Sequence, residues 1–237
     1  IAQGTCFRDP INIVAGEYED AKDSDIVIIT SGIARKPGQT RIELTQTNVN
    51  ILKSITPEIV KAAPNALYII VSNPVDIMTY VFTKISGLPE NQIIGSGTIL
   101  DTARLRCGLS EHCKAAQNEL AKNLGKEVDV LDKDEMLTYV QKSGGKVIAN
   151  KGATFYAVSA AVCKLCGILL ASSDSIATVS SMMHGEYGIE DVCMSTLTLV
   201  RSNGIQGKVP MRMNKEEVAK LQASANALKE VIKQIEL

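Results

Sequence analysis

Residues 25–30 (Asp25, Ile26, Val27, Ile28, Ile29, Thr30) and 66–71 (Ala66, Leu67, Tyr68, Ile69, Ile70, Val71) are two short runs that stay apolar at nearly every position. A strand with one wet face alternates apolar and polar side chains. A run without alternation needs cover on both faces, the condition of parallel strands flanked by helices. A third β-branched run, Ile11 to Val14, reads as another such strand. Between the strands, residues 42–63 carry a helical period, with Thr56, Pro57 and Glu58 offering an N-cap and a first-turn proline for a second helical piece. Residues 74–86 predict a helix closed by Gly87 and Pro89, residues 92–94 a short strand, and the helix bearing Asp101 and Arg104 follows. Strand and helix alternate to about residue 111, which is α/β patterning.

From Asp132 onward the pattern changes to long helices and then to apolar runs at 176–179 and 192–194 that read as antiparallel strands. Asn203 and Gly204 form a turn signal between the runs 197–200 and 208–211. The last helix has the clearest local signature: Asn214 as N-cap, Glu217 at the capping-box position, and Val218, Leu221, Ala225, Leu228, Ile232 and Ile235 along one face.

Composition excludes several classes. A formal net charge of −1 in 237 residues gives no basic excess of the kind nucleic-acid binding uses. The longest apolar run, 155–171, is broken by Lys164 and falls short of the roughly 20 residues of a membrane span; it predicts a buried core helix. The first residues lack signal-peptide organisation and an initiator Met, so residue 1 reads as an arbitrary cut in something longer. Six scattered cysteines read as cytoplasmic thiols, and Cys163 and Cys166 as two small buried residues one helical turn apart.

Three polar segments stand out against this frame: residues 35–41 with Arg35 and Arg41, 72–76 with Asn73 and Asp76, and 100–106 with Asp101 and Arg104. Asp101 and Arg104 share a helix face, which taken alone describes a surface ion pair. Residues 35–41 taken alone are a charged loop, and Asn73 before Pro74 a turn asparagine at the carboxyl edge of a strand. Together they place a carboxylate, an amide and several guanidiniums where a small anionic 2-oxo or 2-hydroxy acid could be gripped.

These segments, in this order, resemble the L-lactate/malate dehydrogenase family. The resemblance implies a Rossmann-type parallel sheet over residues 1–96, its N-terminal strands missing, followed by an α/β substrate domain with antiparallel strands over 97–237. It implies NAD as cofactor, lined by Thr30, Ser31, Gly32, Asn48, Val71 and Asn73. It implies that Arg104 forks onto the substrate carboxylate, that Arg41 polarises the carbonyl from a closing loop, that Asp101 orients a catalytic imidazole, and that Asn73 bonds near the substrate oxygen. Arg35 matches the arginine by which malate enzymes meet a second carboxylate, whereas Thr154 in segment 151–156 matches the threonine that narrows the pocket of lactate enzymes; residues 176–194 also look lactate-like. The balance leans to a cytoplasmic L-lactate dehydrogenase of glycolysis, a homo-oligomer of two or four subunits, acting on pyruvate and L-lactate.

Two expected parts are not written in these residues. No G-x-G-x-x-G follows a strand; Gly95, Ser96 and Gly97 make only a fragment of one. The family's Gly-Glu-His-Gly-Asp segment is absent, and His112 and His184 fall where structural or exposed residues are expected. The text passes abruptly near His112 and Cys113 from the Asp101 helix into a further helix, which suggests a seam where stretches of a longer enzyme are omitted. Three readings follow: a lactate enzyme, a malate enzyme, or an inactive remnant that serves as a binding or assembly subunit.

Overall fold

A computed structural model of the chain describes residues 11–33, 41–122, 132–171 and 173–237, without the side chains of residues 41 and 114–122. Its centre is one six-stranded sheet, in order β1 (Ile26–Ile29), β2 (Leu67–Ile70), β3 (Ile93–Gly95), β4 (Ser175–His184), β5 (Glu190–Arg201) and β6 (Gly204–Lys208). The first three strands run parallel and the last three are antiparallel, joined where Gly95 stands opposite Ser180.

Of the two unbroken apolar runs, the one in β2 is buried on both faces as its pattern requires, whereas in β1 Ile28 is 44% exposed. Tyr68 and Ile70 enter a core with Val49 and Leu52 of helix α1 (Arg41–Ala62) and Met78, Val81 and Phe82 of α2 (Val75–Ser86). Leu67 and Ile69 face the other way, into a core with Ile99 of α3 (Ile99–Lys122) and Leu165 and Leu169 of α5 (Tyr156–Leu170). Burying one such aliphatic side chain contributes about 2 kcal/mol, so β2 is held by both faces. Helix α4 (Lys133–Lys151) starts on Asp132, whose carboxylate accepts from the amides of Asp134 and Glu135. Helix α6 (Lys215–Ile232) has the expected capping box, with Glu217 N–H donating to Asn214 and Asn214 N–H to Glu217.

Three expectations are corrected. Ile11 to Val14 form no strand and Val14 is 74% exposed, because among the described residues no strand lies beyond β1 to pair with them. Thr56 starts no second helical piece: α1 runs unbroken through Pro57, and the Thr56 hydroxyl donates back to the Leu52 carbonyl. Ile55, Ile59 and Val60 continue the face of Val49 and Leu52 on the same core, and that burial offsets the roughly 3 kcal/mol cost of an interior proline. The region of His112 and Cys113, where the sequence suggests a seam, lies within α3. Helix α5 is buried only along Val162, Leu165 and Leu169, with Tyr156 78% exposed and Cys163 at the surface, since no described element covers its outer face.

Two glycines adopt positive φ for different reasons. Gly87 ends α2 at φ 69° in open space, whereas Gly97, at φ 56°, lies so close to β4 and β5 that a Cβ would stand 2.7 Å from the Ser180 nitrogen and the Ser195 hydroxyl. Gly87→Ala should cost about 1 kcal/mol, the backbone penalty alone. Gly97→Ala adds overpacking and should cost about 3 kcal/mol; urea midpoints of the two variants measure the difference. Tyr68, fully buried, donates its hydroxyl to the carbonyls of Ile59 in α1 and of Ala63 just beyond its end, and burial pushes it up from 10.0 to about 12. A group whose folded pKa is raised stabilises below its unfolded pKa and loses that contribution as pH climbs through the folded one. Stability should therefore decline between pH 10 and about 12, and Tyr68→Phe should remove the last step of the tyrosinate absorbance titration.

Candidate functional site

At the carboxyl ends of β2 and β3 the chain leaves the sheet and opens a cavity of about 230 Å³. Its wall on one side is Val71, Asn73 and Val75, at the β2–α2 junction, and its floor is Ser96 and Gly97, between β3 and α3. Leu100, Asp101 and Arg104 come from the first turns of α3, Gly144 and Ile148 from α4, and Thr154, Val158, Ala161 and Val162 from the start and inner face of α5. Residues separated by 80 positions in sequence thus meet at one sheet edge. The described molecule has larger hollows: two, of about 650 and 430 Å³, lie at the amino ends of the strands around Asn65 and Asn203 and around Tyr18 and Lys61, one of about 410 Å³ lies between α3 and α5 around Ala103 and Lys164, and one of about 270 Å³ lies against α6 around Gln222. None of them gathers Asn73, Asp101, Arg104 and Thr154.

The arrangement favours an anion. Helices α2 and α3 both begin at the cavity, so the positive ends of two helix dipoles converge on it. Arg104 is only 20% exposed and its Nη1 lies 2.7 Å from Asp101 Oδ1, the ion pair that helical spacing predicts. That contact engages one corner of a planar fork suited to a carboxylate. Gly144 brings α4 alongside: a Cβ there would make ordinary contact with the guanidinium at 3.7 Å. Aliphatic groups from Leu100, Ile148, Val158 and Val162 line the rest, lowering the local dielectric and strengthening charged contacts.

Asn48 is held between two loops of the chain itself. It is 2% exposed, and its side chain accepts from Ile33 N–H at 2.8 Å and donates to the Asn73 carbonyl at 2.9 Å. Its polar atoms are spent on the backbone of two loops, so it reaches the cavity only through Asn73. Alongside, the Ser72 hydroxyl donates to the Ser31 carbonyl, tying the loops that follow β1 and β2. The Ser31 hydroxyl itself is buried without a partner among the described residues, next to Thr30 and Gly32 at the end of β1. Arg35 lies outside the described residues, as does the side chain of Arg41.

Neither histidine lines the cavity. His184, at the end of β4, is exposed and pairs through Nε2 with Glu90 Oε2 at 2.6 Å, while His112 lies farther along α3. Among the described residues no cluster of side chains could hold a metal ion, no cysteine is paired, and no helix is long and apolar enough to cross a membrane.

A cavity at the carboxyl ends of parallel strands, walled by a strand–helix junction, is where dinucleotide-binding α/β proteins hold the reacting ends of their ligands. Residues 3–95 match the family model of the lactate/malate dehydrogenase NAD binding domain, and residues 121–237 that of the lactate/malate dehydrogenase alpha/beta C-terminal domain. L-lactate dehydrogenase 1 of Clostridium acetobutylicum is 40% identical over 264 residues, covering 99% of this chain and 84% of its own length. The L-lactate dehydrogenase of Acetivibrio thermocellus is also 40% identical, over 263 residues, covering 99% of this chain and 83% of its own. Among solved structures, the minor L-lactate dehydrogenase of Enterococcus mundtii superposes with a TM-score of 0.88 at 25% identity over 99% of this chain and 84% of that one. The malate dehydrogenase of Archaeoglobus fulgidus in complex with NADH gives 0.86 at 29% identity over 99% and 83%.

The chain belongs to the lactate/malate dehydrogenase family, and its N-terminal part to that family's NAD-binding domain. The 264 aligned positions exceed the 237 residues of this chain, so the Clostridium acetobutylicum protein has residues within the aligned span to which none here correspond. The two domain matches leave residues 96–120 unclaimed, the region that holds Asp101, Arg104 and His112.

Replacing Asn48 by Ala should leave the Ile33 N–H and Asn73 carbonyl without their partner and cost about 2 kcal/mol. Hydrogen exchange should show the loss locally, as faster exchange at the Ile33 amide than at amides of α6.

Proposed function

We propose that this chain is an NAD-dependent L-lactate dehydrogenase, interconverting pyruvate and L-lactate by hydride transfer. The observation that carries the reading is the single cavity lined by Asn73, Asp101, Arg104 and Thr154 beneath two helix N-termini. Arg104 binds the substrate carboxylate with the free part of its fork, and Thr154 bounds the space for a methyl group. Asn73 holds the substrate oxygen and the nicotinamide end of the cofactor, and Asn48 fixes Asn73 through its carbonyl. Arg41 polarises the carbonyl. Asp101, paired with Arg104, is the orienting carboxylate for a proton-transferring imidazole.

The residues present fit one end of NAD. Val71, Asn73, Ser96 and Gly97 offer a narrow slot at the sheet edge, and the unpartnered Ser31 hydroxyl with Thr30 and Gly32 offers polar cover beside it. No glycine-rich cradle for the pyrophosphate is written in the 237 residues. When bound, NAD supplies the hydride donor or acceptor; the chain's residues grip the acid, orient its carbonyl and exclude water.

The reading includes a division between cofactor and substrate domains near residue 96, a cytoplasmic location supported by the unpaired thiols, and a homo-oligomer of two or four subunits supported by the exposed apolar side chains of α5. Arg35 favours a second reading, oxaloacetate and malate, because it would meet a second carboxylate.

NADH oxidation with pyruvate and with oxaloacetate, on protein of recorded intact mass, tests both readings. Preference for pyruvate supports the first, preference for oxaloacetate the second, and turnover of neither at 25.4 kDa makes the chain a non-catalytic binding subunit. In an active protein Arg104→Lys should lower kcat/KM for pyruvate about 100-fold, on the order of 3 kcal/mol of transition-state binding. Arg35→Gln should depress turnover of oxaloacetate far more than that of pyruvate if the malate reading holds.

A further inference from the structure

Behind the cavity lies a polar cluster in what is otherwise an apolar layer. Asp76, in the first turn of α2, accepts through one carboxylate oxygen from the hydroxyls of Ser180 on β4 and Ser195 on β5, the latter at 3.4 Å. Ser181, the next residue on β4, accepts through its hydroxyl and its carbonyl from Lys208 on β6. Ser180 and Ser181 are buried, as are Thr79, Thr196 and Thr198 around them. Asp76 and Lys208 are each half-buried and act on one another electrostatically: burial raises the carboxyl and lowers the ammonium, and each charge opposes the other's shift. Asp76 with Ser180 and Ser195 links α2 to β4 and β5, Lys208 with Ser181 links β6 to β4, and the two groups meet at adjacent residues of β4 and through the attraction of the opposite charges.

This cluster touches the cavity at two points. Asp76 adjoins Val75 and stands three residues after Asn73, both of which line the cavity wall. Ser195, which donates to Asp76, also lies against Gly97 on the floor, where a Cβ would stand 2.7 Å from its hydroxyl and from the Ser180 nitrogen. A shift of either serine moves the floor, and a shift of Asp76 moves the wall.

We propose that Asp76 and Lys208 are positioning residues: their half-buried opposite charges, the one held by Ser180 and Ser195 and the other by Ser181, hold the Asn73 wall and the Gly97 floor in register for the 2-oxo acid. The inference rests on reading the cavity as the pyruvate site. Removing one charge strands the other in a low-dielectric layer, while removing both relieves that penalty but not the lost tether. Stability and positioning are thereby separable.

The experiment compares wild type, Asp76→Asn, Asp76→Asn/Lys208→Met and, as a buried control elsewhere in the same sheet, Val200→Ala. Thermal midpoint, kcat and KM for pyruvate at saturating NADH, and hydrogen exchange at the Gly97 and Val75 amides are measured on each. Asp76→Asn should lower the midpoint, raise KM at least fivefold with kcat changed less than twofold, and speed exchange at Gly97 and Val75 at least tenfold. The double variant should regain most of the midpoint while KM and the exchange rates stay raised, and it carries the test if the single variant fails to fold. Val200→Ala should lower the midpoint without moving KM or those two amides. If KM and both amides respond to loss of Asp76 no more than to loss of the Val200 side chain, the cluster is only a part of the core and the proposal is overturned. A wild type that does not reduce pyruvate defeats the functional reading alone, since exchange at Gly97 and Val75 still decides whether the cluster holds wall and floor.

Discussion

The sheet changes from parallel to antiparallel at one register pair, Gly95 opposite Ser180, and the geometry of the whole site depends on that close approach. Strand β3 lacks a side chain where β4 arrives: a Cβ on Gly95 would stand 2.7 Å from the Ser180 Cβ. Two residues on, Gly97 repeats the approach against β4 and β5. Because the backbones come this near, α2 can lie across β3, β4 and β5 together, and the turn before it, with Asn73, is carried to the place where α3 begins. Side chains at either position would force the two halves of the sheet apart and open the cavity between them.

The electrostatics of that cavity come more from backbone than from side chains. Two helices begin there, and their unpaired first-turn amides favour negative charge without any titratable group. Asp76 and Asp101, in those same first turns, complement the dipoles but are turned to other tasks, one toward Ser180 and Ser195 and the other toward Arg104. An anion entering the cavity meets helix ends already neutralised in part, and the guanidinium of Arg104 supplies the remaining charge. A point charge on a flexible stem would do this less well than a fork held on one side by Asp101.

Strand β2 was legible because burial on both faces leaves an unmistakable mark on composition, and α6 because a capping box and a helical period are local. Asp101 and Arg104 were legible as a pair for the same reason. The cluster of Asp76, Ser180, Ser181, Ser195 and Lys208 has no such mark: its members are scattered over 130 residues, none has a diagnostic spacing, and only the packing of α2 on the sheet joins them. Asn48 was visible as a polar residue near the cofactor side, but whether an asparagine amide faces a ligand or two backbone loops is decided by tertiary contact. Ile11 to Val14 shows the reverse failure. Its composition is that of a strand, yet a strand is a pairing and not a property of one segment, and no described neighbour completes its ladder.

Gripping an acid and delivering a proton to it are separate physical tasks, and the described residues are equipped for the first. Hydride addition to a carbonyl carbon builds negative charge on oxygen, which a positioned acid relieves, typically for 10²–10⁴-fold in rate. The cavity has a cationic fork, a held amide and two helix ends, all on packed elements, but no imidazole among its lining residues. The grip draws on α2, α3 and the sheet seam, each stabilised by burial that has nothing to do with catalysis. Binding of a small 2-oxo acid should therefore be the more robust of the two properties, because it rests on the same contacts that hold the fold.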